Sequence, residues 1–186
     1  MTQIKAISVL QCRQCMFDRH GVEGVERIKQ AMTEPARSQV YSDTLLASDW
    51  LEVAYAVEHA TKYDQTFGDG SGALMMQMIR DVTTQHATGI YRSVFADLTP
   101  LAVLEKSSRL WSRYYSQGSS ETELLGEKRI VKRVLGCPDF PRNHDWFFIA
   151  YYEALLELAG ATDVSVRHPM CVAAGADHCE TVIRWK

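Results

Sequence analysis

After Gly160 the hydrophobic period of this chain changes, and the change limits what it can fold into. Upstream, apolar residues recur every three or four positions, as in Phe147, Tyr151, Ala154, Leu155 and Leu158. Downstream they alternate: Val164, Val166 and His168 lead to Pro169, the run from Ala173 to Asp177 supplies a turn, and Cys179, Thr181, Ile183 and Trp185 return. Period 3.6 followed by period 2 calls for helices packed on a sheet that ends in an antiparallel hairpin, 163–170 with 179–185. The expected fold class is α+β, with four to five helices packed on an antiparallel sheet closed by that C-terminal β-hairpin. A chain of 186 residues is one domain by size, so 1–186 is expected to share one core.

The earlier elements follow from local signals. Ile4 to Leu10 reads as a first strand ending in Cys12-Arg-Gln-Cys15, a CxxC pair that suits either redox chemistry or half of a zinc site. Met16 to Gly21 reads as a connection. Val22, Val25, Ile28 and Met32 then make a short helix closed by Pro35, which completes an N-terminal strand-helix segment, 1–35. Asp49 and Glu52 have the form of a capping box for a helix running to about Phe67. The glycine cluster from Gly68 to Gly72 lacks the Lys-Ser/Thr ending of a P-loop and reads as an interhelical turn before a helix from Leu74 to about Ala87.

Thr99-Pro100 is a cap followed by proline at the first helical position. Leu101, Leu104, Ser108, Trp111 and Tyr115 then form a seam against another helix of the chain or a dimer mate. Glu121 to Gly126 and Arg129 to Leu135 read as paired strands whose exposed face carries Lys128, Arg129, Lys132 and Arg133. Asn143 is placed to cap a helix that ends at Leu158 and stops at Gly160.

Composition removes several function classes. The net charge is −3 and no Lys/Arg block stands out, so the electrostatic footprint of a nucleic-acid partner is missing. No apolar run is long enough for a spanning helix, and no membrane partner is expected. An odd count of five cysteines behind an N-terminus without a secretory pattern points to reduced thiols in the cytoplasm. No Ser-His-Asp set, dinucleotide fingerprint or paired catalytic carboxylates can be read, so no catalytic residues are assigned.

Two places carry candidate chemistry. Cys171 and Cys179 stand at the shoulders of the terminal turn beside His168 and His178, where they either converge on a thiophilic metal or serve as small core residues. The helices at 74–87 and 146–158 are apolar enough to wall a pocket. Met75, Met78, Trp146, Phe147 and Tyr151 are its candidate lining, methionines for adaptability and the tyrosine for a polar handle.

An aromatic-rich helix, a strand, then two cysteines separated by seven residues in a closing hairpin resembles the 4-vinyl reductase domain, over roughly 85–186. The layout is also similar to that of a paralogous group of uncharacterised myxobacterial proteins. The resemblance implies a small-molecule-binding fold of the kind found in phenol-responsive transcription activators, distantly related to haem nitric-oxide-binding domains. In zinc-bearing members the two cysteines are joined by a carboxylate three residues before the first and by a thiolate at the start of the preceding helix. Here those positions hold His168 and Asp145, so the implied set is Asp145, His168, Cys171 and Cys179, harder and weaker for zinc than the family pattern. Packing is therefore the expected role of the cysteines, with zinc as the alternative. Haem-binding relatives carry Tyr-x-Ser-x-Arg, whereas Tyr91-Arg-Ser93-Val-Phe95 lacks the arginine; haem is not expected, although His86 or His59 could offer an axial nitrogen.

The functional expectation is a non-enzymatic sensor or adaptor that binds a small apolar or aromatic molecule, forms a homodimer and signals through a separate effector protein. The alternatives are an enzyme accessory in tetrapyrrole or vinyl-group chemistry, and a ligand-free dimeric interaction protein.

Overall fold

The computed structural model of the chain describes residues 1–89, 92–95 and 98–186, of Val94 the backbone alone. Its elements in order are β1 (Gln3–Lys5), α1 (Ala6–Ala31), α2 (Ala36–Val40), β2 (Trp50–Glu52), α3 (Val53–Phe67), α4 (Ala73–Thr88), α5 (Arg92–Phe95), α6 (Pro100–Arg109), α7 (Trp111–Tyr114), β3 (Ser119–Gly126), β4 (Arg129–Leu135), α8 (His144–Leu158), β5 (Ser165–Met170) and β6 (Cys179–Arg184). The fold class is α+β. Helix α8 is its centre: Phe148, Ala150, Tyr152, Ala154, Leu155 and Leu156 are all buried, and a helix buried around so much of its circumference must be covered from two sides. Helix α4 packs along one side, and the four-stranded sheet and α6 cover the rest.

The sheet runs β3-β4-β6-β5, antiparallel throughout, and a separate pair joins β1 to β2. Cys179, Thr181 and Ile183 of β6 are buried, which fixes the register opposite β4, with Lys132 facing Thr181 and Ile130 facing Ile183. Strand β5 lies at the edge, and the register shift between Arg167 and Met170 absorbs Pro169, which has no N–H to give the ladder. One apolar cluster links Ile4, Val9 and Val53 of the N-terminal segment to Trp111, Phe148, Tyr152, Ile183 and Trp185. A second holds Cys12, Cys15, Met16, Ile28, Tyr63, Met75 and Met78.

Four expectations need correction. The first strand stops at Lys5, because Ala6, Val9, Cys12 and Met16 are buried at helical spacing; α1 therefore runs through both Cys12-Arg-Gln-Cys15 and the supposed connection, with a break at Gly21 (φ 64°). The capping box at Asp49 does not form: Trp50–Glu52 pairs with β1, α3 starts at Val53, and the Asp49 carboxylate accepts from the Leu46 N–H instead. The helix carrying the seam from Leu101 to Tyr115 is broken after Arg109, although its Leu104 and Trp111 pack, as expected, in the chain's own core. Lys132 is not on the exposed face of β4, since it alternates with Ile130 and Val134 and is buried against α6. The Thr99 cap is formed, its hydroxyl accepting from Ala102 N–H at 3.3 Å.

One turn sets the position of α4. Both oxygens of the buried Asp64 carboxylate accept backbone N–H groups, from Gly72 at 2.9 Å and Met75 at 3.0 Å, so a side chain of α3 caps the start of the next helix. Gly72 sits at φ 89°, and a Cβ there would come within 2.6 Å of the Trp146 ring. Only glycine lets α8 begin this close to α4.

Candidate functional site

Between α4 and α8, where the N-terminal helices meet the sheet unit, lies a cavity of about 150 Å³. Helix α4 contributes Ile79, Val82, Thr83, His86 and Ala87; α8 contributes Phe147, Phe148, Tyr151, Tyr152 and Leu155. Trp111 and Tyr115, stacked with ring centroids 4.1 Å apart, close another side. Most of the lining is aromatic or aliphatic. Hydroxyls of Ser8, Thr83, Ser107 and Ser120 supply the polar points, which is the composition of a pocket that encloses an apolar body and orients one polar end. Burial drives the Tyr115 and Tyr152 phenols well above their ordinary range, so both are neutral hydrogen-bonding groups.

A second cluster stands at the first turn of α8. The ligand atoms of His144, His168, Cys171 and Cys179 all lie within 4.8 Å of one another. His144 Nε2 is 3.1 Å from Cys179 Sγ and 4.0 Å from Cys171 Sγ. A tetrahedral zinc with Zn–N and Zn–S bonds of about 2.0–2.3 Å needs ligand-to-ligand spacings of about 3.3–3.8 Å, close to these. Outer contacts already orient both rings. His144 Nδ1 lies 2.6 Å from the Pro141 carbonyl oxygen, so it holds the proton and leaves Nε2 as the lone-pair nitrogen. His168 Nδ1 meets Thr181 Oγ1 at 3.1 Å, while its buried Nε2 has no hydrogen-bond partner among the described residues. Burial lowers the pKa of His144 and pushes His168 down to about 4, which keeps both rings neutral, and it pushes the Cys179 thiol up to about 12.

Phe148 joins the two places. It lines the cavity, and its ring centroid is 5.6 Å from that of His144 and 6.1 Å from that of His168.

The expected site residues divide. Phe147 and Tyr151 line the cavity. Met75 and Met78 are fully buried in the second apolar cluster, and Trp146 packs beside them over Gly72. Of the expected metal set, His168, Cys171 and Cys179 come together, whereas Asp145 is not among the converging groups and His144 fills that corner. Helix geometry gives the reason: residues 144 and 145 are about 100° apart on the α8 surface, and the 144 direction faces β6. Cys12 lines the cavity, while Cys15 is buried in the second cluster; burial pushes the Cys12 thiol up to about 12, the opposite of a redox-active pair. Tyr91 of the tested haem signature lies outside the described residues. His59 is buried elsewhere, bonded through Nε2 to Tyr41 Oη at 3.0 Å.

No family model matches the chain, and no curated protein matches it in sequence. Solved structures do. An H-NOX protein from S. oneidensis in the Fe(II)NO ligation state superposes over 98% of this chain and 99% of its own, with TM-score 0.69 and 11% identity. Fe(II) unliganded H-NOX from K. algicida gives TM-score 0.68 at 9% identity over 98% and 97%. A Cs H-NOX variant with 4-cyano-L-phenylalanine at its site 5 gives 0.67 at 14% over 98% and 97%. This chain has the H-NOX fold. The likeness of fold to that group expected from the C-terminal third covers nearly the whole chain. At identities this low H-NOX names an architecture here, and the 4-vinyl reductase likeness stays a reading of the sequence.

Proposed function

We propose that this H-NOX-fold chain is a sensor domain whose cavity takes one small apolar or aromatic molecule, about the size of a single ring. The observation that carries the reading is the cavity itself. Its volume of about 150 Å³ is close to that of engineered apolar cavities that bind benzene. No pair of catalytic carboxylates or activated nucleophile lines it among the described residues, which supports binding over catalysis.

The names of solved structures with this fold carry iron and heme. Pockets for drug-sized ligands run to about 300–1,000 Å³, and a porphyrin needs no less. Trp111, Tyr115, Phe148 and Tyr152 wall a cavity of about 150 Å³, well short of that volume. His86 is the only histidine among the described lining residues, and no Arg or Lys stands in the wall itself to pair with two propionates. Haem does not fit these residues.

A second reading concerns the terminal hairpin. Two thiols, two pre-oriented neutral imidazoles and the partnerless Nε2 of His168 favour a structural zinc held by His144, His168, Cys171 and Cys179, with His144 in place of the expected Asp145. Bound there, zinc would supply cross-linking of α8 to β5 and β6. Of the two grounds for expecting a homodimer, the Leu101 to Tyr115 seam and the two-sided helix α8, the first is used in the chain's own core.

Nuclear magnetic resonance titration of the full chain with benzene and toluene tests the first reading. Shifts confined to the Val82, Phe148 and Leu155 surroundings are expected. Saturating additions that leave those signals unmoved would remove it.

A further inference from the structure

Lys132 is 1% exposed, yet no carboxylate among the described residues pairs with it. Its ammonium donates to Leu104 O at 2.8 Å, Ser107 Oγ at 2.8 Å and Ser108 Oγ at 2.7 Å. Three donors meet three acceptors, which is the arrangement of a charged –NH₃⁺. The groups that surround it are neutral: Thr122 opposite on β3, Thr181 opposite on β6, the serines of α6, and the face of the Tyr152 ring 5.2 Å away on α8. A buried cation without a counter-charge is costly, and removal from water pulls the Lys132 pKa down to about 7.

The position of this cation is informative. Ser107 and Tyr152, which touch Lys132, also line the cavity, and so does Ser120, whose hydroxyl is 3.3 Å from that of Ser108. Among the cavity's polar groups, Ser107, Ser120 and Tyr152 therefore form the part that is backed by a positive charge with no counter-ion among the described residues. Val82, Phe147 and Leu155 line the cavity with apolar side chains, and Ser8, Thr83 and His86 are its other polar lining residues outside the tyrosines.

We infer that the ligand is an aromatic weak acid bound as its anion, with the ring between α4 and α8 and the charged oxygen at the Ser107–Ser120–Tyr152 end, where Lys132 supplies the counter-charge. The inference rests on the reading of the cavity as a ring-binding site. A phenolate and a small carboxylate share the chemistry that this end recognises. The neutral ring fills the same volume but leaves the cation unbalanced, so the site discriminates by charge as well as by shape.

Pentafluorophenol, which is ionised at neutral pH, and hexafluorobenzene, its near-isosteric neutral counterpart, are the probes, each titrated into the full chain by fluorine magnetic resonance. The anion is expected to bind tighter by on the order of tenfold or more, with the bound signal at the phenolate position. Lys132→Met is expected to abolish that preference while keeping hexafluorobenzene affinity. Should the variant fail to fold, the ratio of the two affinities in the unaltered chain decides alone. Equal or tighter binding of hexafluorobenzene there would overturn the inference and leave the ring-binding cavity standing. If neither probe binds, both fail.

Discussion

His144 Nε2 stands 3.1 Å from Cys179 Sγ, and one turn further along α8 the Phe148 ring forms part of the cavity wall. The residue that would hold a metal and the residue that would touch a ligand are thus fixed by the same helical turn. Anything that settles the start of α8 also settles one wall of the cavity.

The first prediction separates His144 from its neighbour. Zinc is expected to bind one per chain, and a strong chelator is expected to lower the unfolding midpoint by many degrees, because binding to the folded state alone adds directly to stability. His144→Ala should abolish zinc uptake, while Asp145→Asn should leave it intact. Metal analysis of the purified variants checks this; uptake retained without His144 would contradict it.

Gly72→Ala tests the close approach of α4 and α8. The added Cβ would meet the Trp146 ring at 2.6 Å, and the backbone there, at φ 89°, strains any L side chain. A loss of about 2–3 kcal/mol is expected, combining overpacking and backbone strain. Denaturant unfolding would measure it, and a change under about 0.5 kcal/mol, as at an ordinary surface site, would count against the contact.

Acid sensitivity should come from buried histidines. His59 is buried and its pKa is pushed down from 6.5 to about 3, so the unfolded chain binds its proton first. Stability from this group is therefore complete above pH 6.5 and is lost as pH falls toward 3. His59→Phe is expected to flatten the melting-temperature profile between those limits, even if it lowers stability near neutrality by removing the bond to Tyr41. An unchanged slope would place the acid sensitivity elsewhere.

Much of the C-terminal half was legible in the sequence because its signals are local. Alternation in Cys179 to Trp185 gave the buried face of β6, and Thr99-Pro100 marked the start of α6. The errors arose where tertiary contacts overrode local signals. Asp49 looks like a helix cap, but pairing of Trp50–Glu52 with the N-terminal strand pre-empts it. Lys132 carries the charge of a surface residue at a core position, and only the alternation of Ile130, Lys132 and Val134 could have revealed that it points inward. Met75 and Met78 share the apolar character of the cavity wall and pack with Trp146 and Ala150 of α8, and their sequence spacing does not tell which positions of α4 face the cavity. His144 was adjacent to the expected ligand, and one helical position decided between them.

Filling the cavity separates ligand binding from folding. Val82→Phe should occupy the space between α4 and α8 and abolish binding of a single-ring compound. Stability should stay level or rise by about 0.5–2 kcal/mol, as cavity filling commonly gives. A large loss of stability would mean that the wall at Val82 is closed already.

The most direct measurement of the central claim is the diffraction of crystals soaked in iodobenzene, with the iodine located by its anomalous signal. A single strong peak is expected among Val82, Phe148 and Leu155, with the ring stacked against the aromatic wall of α8. Iodine found only on the protein surface, with the space between α4 and α8 closed by side chains, would contradict the account.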